Sequence, residues 1–363
     1  MEALDLSHQF AGCYAGRRVL VTGHTGFKGS WLAAWLDALG ARVAGLALDP
    51  DTTPSHWQLL DLRLEHDARV DLRDAQGVRS VFDAFAPEVV FHLAAQPLVR
   101  RGYREPTLTF DTNVIGLVNV LEAVRACPPM RAVVNATTDK VYAPAAQPRA
   151  YVESDPLGGH DPYSTSKACA ELVSDCYRSS YFQGDDGVRL ATARAGNVVG
   201  GGDWSEDRLV PDVVRAVQSG QPVHLRNPDA TRPWQHVLEP LSGYLRIGQR
   251  LLDGTLAGGA WNLGPSADAS LAVGEVVARL QRAWPQLQVR HDRGEHPHEA
   301  PLLALDSRRA MGALGWRPVW DASTTLARTA DWYRAFAAGG GVRTRDDLAA
   351  FAGDARRAGL AWA

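Results

Sequence analysis

Residues 17–36 run from an apolar strand through a glycine-spaced turn straight into a helix, and that succession restricts the folds open to the rest of the chain. Val19-Leu20-Val21 is apolar throughout, so the strand predicted over residues 17–22 belongs inside a parallel sheet covered on both faces. Gly23-His24-Thr25-Gly26-Phe27-Lys28-Gly29 follows and leads into Ser30-Trp31-Leu32-Ala33-Ala34-Trp35-Leu36. Glycines at 23, 26 and 29 permit a tight turn, close approach of backbone N–H groups to a pyrophosphate, and packing of helix on strand, while the helix N-terminus favours the anion. This makes Gly23, Thr25, Gly26, Phe27, Lys28 and Gly29 candidate cofactor contacts. The spacing is GxxGxxG, looser than the generic GxGxxG, and a glycine-rich turn in some other α/β protein would also fit it.

The chain that follows strengthens the dinucleotide reading. A second strand, predicted over 42–48, ends at Asp49, where a carboxylate would bond adenosine ribose hydroxyls and repel a 2′-phosphate, favouring NAD over NADP. Strands at 68–72 and 88–93 flank a helix at 74–85. They bring Asp71-Leu72 to an adenine position and Ala94-Ala95, small enough to admit a cofactor, to the next strand end. A helix over 106–125 carries Asn113 among Phe110, Val114, Leu117, Val118 and Leu121; a buried amide there serves structure or cofactor equally well. The strand over 131–136 delivers Thr137-Thr138-Asp139-Lys140 to the carboxyl edge, where open α/β sheets bind ligands. With a sixth strand at 188–194, the alternation predicts an α/β, Rossmann-type doubly wound parallel sheet over residues 1–195, to which later segments return. Residues 196–363, with short mixed elements and many Pro and Trp, predict a smaller mixed C-terminal substrate-binding lobe.

Tyr163-Ser164-Thr165-Ser166-Lys167 follows Asp161-Pro162, a candidate N-cap and first helical residue, so Tyr163 and Lys167 share a helix face. A phenol titrates near ~10, and bringing it to about 7 takes ~4 kcal/mol, within reach of one ammonium and a cofactor's positive ring. An ordinary amphipathic helix start carries the same pattern. In the C-terminal part, Arg208, Arg226, Arg232 and His236 are candidates for a diphosphate, for which convergent guanidinium groups are suited.

The 363 residues carry a formal net charge of -3, which gives no support to a nucleic-acid partner. No apolar run approaches the ~18 residues of a membrane span, and residues 1–5 lack a basic secretory start, so no membrane partner and a cytoplasmic location are expected. Cys13, Cys127, Cys169 and Cys176 have no CxxC spacing and read as reduced thiols, the last two as core residues. His291, Glu295, His296, His298 and Glu299 are metal-capable, but Gly294 and Pro297 make that stretch a loop, and no metal is expected.

Together, the GHTGFKG string, Thr138-Asp139-Lys140 and Tyr163 to Lys167 resemble the extended short-chain dehydrogenase/reductases that act on nucleotide sugars. Ala193 to Trp204, Arg232-Pro233-Trp234-Gln235-His236-Val237 and Trp261-Asn262-Leu263-Gly264 narrow the likeness to the CDP-glucose 4,6-dehydratase group. The resemblance implies bound NAD, a nucleotide diphosphate sugar substrate, and a homodimer or higher homo-oligomer built through two helices per subunit. It implies substrate contacts at Gln96, Asn197, Arg208, Arg232 and His236, and a catalytic set of Thr138, Asp139, Lys140, Tyr163 and Lys167. Asp139-Lys140 departs from the acidic pair of the dTDP-glucose and GDP-mannose enzymes; Asp139 must be neutral to act as an acid, yet Lys140 beside it would keep it ionised. A 4-epimerase of the same fold and a non-catalytic NAD-binding scaffold are the competing classes.

Overall fold

The computed structural model describes residues 5–144, 149–184, 187–266, 269–291 and 304–363. The first half of the chain alternates strand and helix: β1 (Arg18–Thr22), α1 (Phe27–Ala38), β2 (Arg42–Ala47), α2 (His56–Leu60), β3 (His66–Arg69), α3 (Ala75–Phe85) and β4 (Val89–His92). It continues with α4 (Val99–Arg104), α5 (Pro106–Phe110), α6 (Gly116–Arg125), β5 (Ala132–Ala136), α7 (Pro162–Ser180) and β6 (Arg189–Ala195). Then come β7 (Val198–Val199), α8 (Leu209–Ser219), β8 (Val223–Leu225), β9 (Thr231–Pro233), β10 (Gln235–His236), α9 (Leu238–Leu252) and β11 (Gly258–Leu263). The last elements are β12 (Ser270–Ala272), α10 (Val273–Ala283), β13 (Val289–His291), α11 (Arg308–Leu314), α12 (Ala322–Ala337) and α13 (Thr344–Arg357).

The central sheet has seven strands in the order β11-β6-β5-β4-β1-β2-β3, all parallel. Successive strand residues point to opposite faces. Val19, Val21, Val89, Phe91 and Val134 accordingly enter one core with α1 and α9, and Leu20, Val90 and Val133 enter the other with α3, α6 and α7. The order reverses direction between β1 and β4, and at such a switch point the connecting helices leave to opposite faces and open a crevice at the strand ends.

Two elements differ from their predicted spans. β3 closes at Arg69, earlier than the strand predicted over 68–72; its alternating burial marks a sheet edge, and Val70 to Leu72 turn off toward the crevice. The helix predicted over 106–125 is interrupted by a π-turn, Asp111–Ile115, which re-aims Asn113, as such one-turn bulges do.

The later chain returns to the sheet at two places. β11 adds the seventh strand beside β6, and α13 packs on α1. The N-terminal residues are equally committed, since Phe10 is buried and stacks on Trp362 with centroids 5.1 Å apart. Between these lie three two-stranded ladders, β7 with β10, β9 with β12 and β8 with β13. Cys176 is exposed and Cys169 half-buried rather than core. No group of three metal-capable side chains occurs among the described residues, and no described helix is long and apolar enough to cross a membrane. Residues 292–303, which hold most of the histidine-rich stretch, lie outside the described residues.

Candidate active site

A cleft of about 2050 Å³ opens at the carboxyl ends of the sheet strands and is walled opposite by segments between 195 and 232. Single-ligand pockets run to roughly 1,000 Å³, so this cleft has room for a dinucleotide and a second ligand side by side.

The glycine turn forms its floor. Gly23 sits at φ 75°, and a Cβ there would lie 2.7 Å from the Ala94 nitrogen; a Cβ on Gly29 would lie 2.7 Å from the Gly23 carbonyl carbon and closer still to its oxygen. Only glycine allows the two strand ends and the start of α1 to approach this closely. No side chain caps α1, which begins after Gly26, so its first N–H groups remain available to an anion in the cleft. A methyl-free cradle beneath an uncapped helix fits a dinucleotide pyrophosphate. Thr25, Phe27, Leu72, Ala94 and Ala95 line the same cavity.

At the adenosine end Asp49 is exposed and paired with Arg69, Nε to Oδ1 3.0 Å. Arg69 also bonds Asp67 and lies 3.1 Å from Nε2 of the buried His24. The acidic position predicted to refuse a 2′-phosphate therefore stands beside a guanidinium that would welcome one. Asp71 is tied to Arg73, which holds its carboxyl below the usual range.

The reactive end is built by α7 and the turn after β5. Asp161 caps α7 by accepting from the Ser164 N–H at 3.0 Å, and Pro162 is its first residue, as the sequence predicts. Tyr163 is buried and lines the cleft together with Thr138. Burial pushes its phenol up to about 12. The expected lowering by Lys167 does not appear in this structure, because the Lys167 ammonium donates to the Ala136 carbonyl at 3.0 Å. Burial brings Lys167 itself down to about 8, with Lys28 lowering it further and Glu171 opposing.

Thr138 Oγ1 donates to Asp139 Oδ1 at 3.0 Å, and the Asp139 carboxyl lies against Gly196, just beneath the lining of the cleft. Burial raises its pKa, outweighing Lys140, the Thr138 hydrogen bond, Arg232 and Lys28, which all act to lower it. Desolvation thus wins the conflict that the Asp139-Lys140 pair poses. Lys140 and Asn197 line the cleft half-buried.

His236 and Asn113 lie off the cleft lining, whereas Gln96, Lys28, Arg208 and Arg232 line it while bonded to neighbours. His236 is fully buried, 4.8 Å from the Trp320 ring and 5.7 Å from Trp31, and takes no part in the cleft lining. Asn113 bonds Ser166 Oγ at 2.9 Å and both backbone groups of Gln96, at 2.8 and 3.1 Å, so it braces α7 rather than lining the cleft. Gln96 lines the cleft, but its amide is taken by Leu98 and Thr109. Lys28 does not follow the turn backbone toward solvent: its Nζ donates to Tyr244 on α9 at 3.0 Å, with burial lowering it to about 8. Arg208 pairs with the buried Asp203 at 3.2 Å, and Arg232 donates to the Thr231 carbonyl at 3.0 Å. Glu171, Arg194 and Tyr142, which sequence reasoning misses, form a buried polar cluster behind the reactive turn. Nothing in their local spacing signals it, since they come from three separate elements.

The NAD dependent epimerase/dehydratase family profile matches residues 19–264. The chain belongs to that family. It is 46% identical over 333 residues, 90% of this chain and 93% of the relative, to the CDP-glucose 4,6-dehydratase of Salmonella typhimurium. Among solved structures, an epimerase from Methanothermobacter thermautotrophicus shares the fold at TM-score 0.79 and 23% identity, covering 90% of this chain and 94% of that one. The dTDP-glucose 4,6-dehydratase from Streptomyces venezuelae, solved with NAD and TYD bound, aligns at TM-score 0.72 and 26% identity over 87% of this chain and 97% of its own. For a family member that depends on NAD, the methyl-free cradle and uncapped α1 are the matching floor.

Proposed function

We propose that this chain is an NAD-dependent hydro-lyase that converts CDP-glucose to its 4-keto-6-deoxy product. NAD, held by the glycine turn, Asp49, Asp71 and Lys167, supplies the hydride acceptor and donor. Tyr163 takes the proton of the sugar 4-hydroxyl, which Thr138 orients, as the C4 hydride departs to the acceptor that bound NAD would provide. The resulting ketone acidifies C5–H; Lys140 takes that proton, and Asp139 gives one to the departing 6-hydroxyl, so water leaves and a C5–C6 double bond forms, which would be reduced by return of the hydride to C6 and of the Lys140 proton to C5. Asn197, Arg208 and Arg232 hold the diphosphate end. A homodimer through the α6 and α7 region and a cytoplasmic location belong to the same reading, supported by the exposed Ile115, which ends the π-turn leading into α6, by the exposed Leu172 on α7 and by four free cysteines.

The observation that carries this is the Asp139 carboxyl, buried against Gly196 of the cleft lining and raised in pKa by that burial, one residue from Thr138, which lines the cleft with Tyr163. A 4-epimerase needs no such acid. Incubation with CDP-glucose, dTDP-glucose, UDP-glucose and GDP-mannose, followed by mass spectrometry, tests it: CDP-glucose should lose one water fastest, and Asp139→Asn should hold the sugar before that loss. Retention of the full substrate mass with all four sugars defeats the proposal.

A further inference from the structure

The reactive turn, a single 3₁₀ turn over Asp139–Val141, is gripped at both ends by the two halves of one buried ion pair. Arg194 on β6 and Glu171 on α7 meet at 2.7 Å, with side chains 5% and 3% exposed. At the leading end, Thr137 Oγ1 donates to Glu171 Oε1 at 2.5 Å. At the trailing end, Arg194 Nη1 donates to the Tyr142 hydroxyl at 2.9 Å, and that hydroxyl donates to Asn262 Oδ1 on β11 at 2.6 Å. Thr192 completes the Glu171 carboxylate at 2.7 Å, and Arg194 reaches the Glu153 carbonyl at 3.0 Å. Glu171 lies one helical turn beyond Lys167 on the same helix, and so two turns beyond Tyr163.

We infer that the Glu171–Arg194 pair is a positioning clamp, which sets Thr138, Asp139 and Lys140 against Tyr163 and Lys167 through Thr137 and Tyr142. A short 3₁₀ turn has poor internal hydrogen bonding and does not fix its own side chains. Five residues of the proposed chemistry on one turn and one helix nevertheless need relative placement to a fraction of an ångström. A buried ion pair is a weak source of stability, because the desolvation of both charges offsets their attraction. What this pair supplies that an apolar pair of equal volume would not is direction: its hydrogen bonds reach both flanks of the turn and join α7, β5, β6 and β11 at one point. Thr137, the first threonine of Thr137-Thr138, and the asparagine of Trp261-Asn262-Leu263-Gly264 thereby acquire a purpose. Both anchor the turn that carries the proposed reactive groups.

The catalytic part of this inference rests on the dehydratase reading; the clamp itself does not. The test therefore has two readouts on Thr137→Val, Thr137→Ser and Tyr142→Phe. Amide hydrogen exchange across residues 138–142 reads the clamp without any substrate. Thr137→Val and Tyr142→Phe should each speed exchange about 5- to 10-fold, the loss of one buried hydrogen bond, and Thr137→Ser should restore the wild-type rate. Turnover with CDP-glucose reads the consequence. The same two variants should lower kcat 10- to about 100-fold at unchanged KM, as ångström-scale misplacement does, with Thr137→Ser recovering most of it. Unchanged exchange in both loosened variants overturns the clamp. Faster exchange with wild-type kcat overturns its role in positioning the reactive groups. Absence of turnover in the wild-type chain counts against the dehydratase reading alone and leaves the exchange result to decide the clamp.

Discussion

A base that removes a sugar hydroxyl proton near neutrality cannot be a phenol titrating at about 12, which is where burial leaves Tyr163. Bringing it to about 8 takes four pH units, or about 5 kcal/mol at 1.36 kcal/mol per unit. One cation about 4 Å away contributes roughly 4 kcal/mol at an effective dielectric of 20. The positive ring of NAD⁺ at that distance would therefore supply most of the lowering, and the Lys167 ammonium would supply the remainder once it leaves the Ala136 carbonyl that it bonds in this structure. The perturbation is then simple: add NAD⁺, or add NADH, which has the same shape and no ring charge. Phenolate absorbance, taken as the difference between wild type and Tyr163→Phe, should show no Tyr163 titration below about pH 11 in the cofactor-free chain. Saturating NAD⁺ should bring it down by about 3 units, NADH by less than about 1, and Lys167→Met should shrink the NAD⁺ effect. A cofactor-free Tyr163 that already titrates near 7, or equal shifts with NAD⁺ and NADH, would refute the reasoning.

Two further perturbations bear on the cofactor. Gly29→Ala places a methyl within 2.7 Å of the Gly23 carbonyl carbon and 2.8 Å of His24 Cα, so the turn must open; a loss of about 1–3 kcal/mol in thermal unfolding should accompany much weaker NAD binding by fluorescence titration. Gly16→Ala, with nothing within 4 Å but φ 69°, serves as the control: it should cost about 1 kcal/mol and leave NAD affinity alone. Asp49→Asn releases Arg69 from its 3.0 Å ion pair beside the ribose position. NADP affinity should rise about 10-fold relative to NAD, near the 1.4 kcal/mol expected of one exposed guanidinium–phosphate contact, and an unaltered NAD to NADP ratio would remove Arg69 from cofactor selection.

The backbone architecture was legible because its causes are local. Apolar runs such as Val19-Leu20-Val21 read as interior parallel strands, the glycine at 29 is required by its contact with Gly23 inside one seven-residue turn, and Asp161-Pro162 caps and starts α7 from the adjacent sequence. The pairing of Tyr163 with the Thr138 turn was also within reach, since sheet topology sends both to the same edge. The seventh strand was not, because Gly258–Leu263 is short and half glycine-led, and only its pairing with β6 makes it a strand.

Periodicity and spacing along the chain were enough for six strands of the sheet and for the glycine turn at its edge, and the family resemblance named the candidate reactive groups. Tertiary structure decided their states. Asp139 is pushed toward neutrality although Lys140 is its neighbour, because desolvation depends on what packs over a carboxyl and not on what precedes or follows it. His236 and Asn113 become supports for the same reason: the tryptophans and the helix that enclose them come from elsewhere in the chain. Glu171, Arg194 and Tyr142, drawn from a helix, a strand and a turn, become one clamp only when the fold has closed.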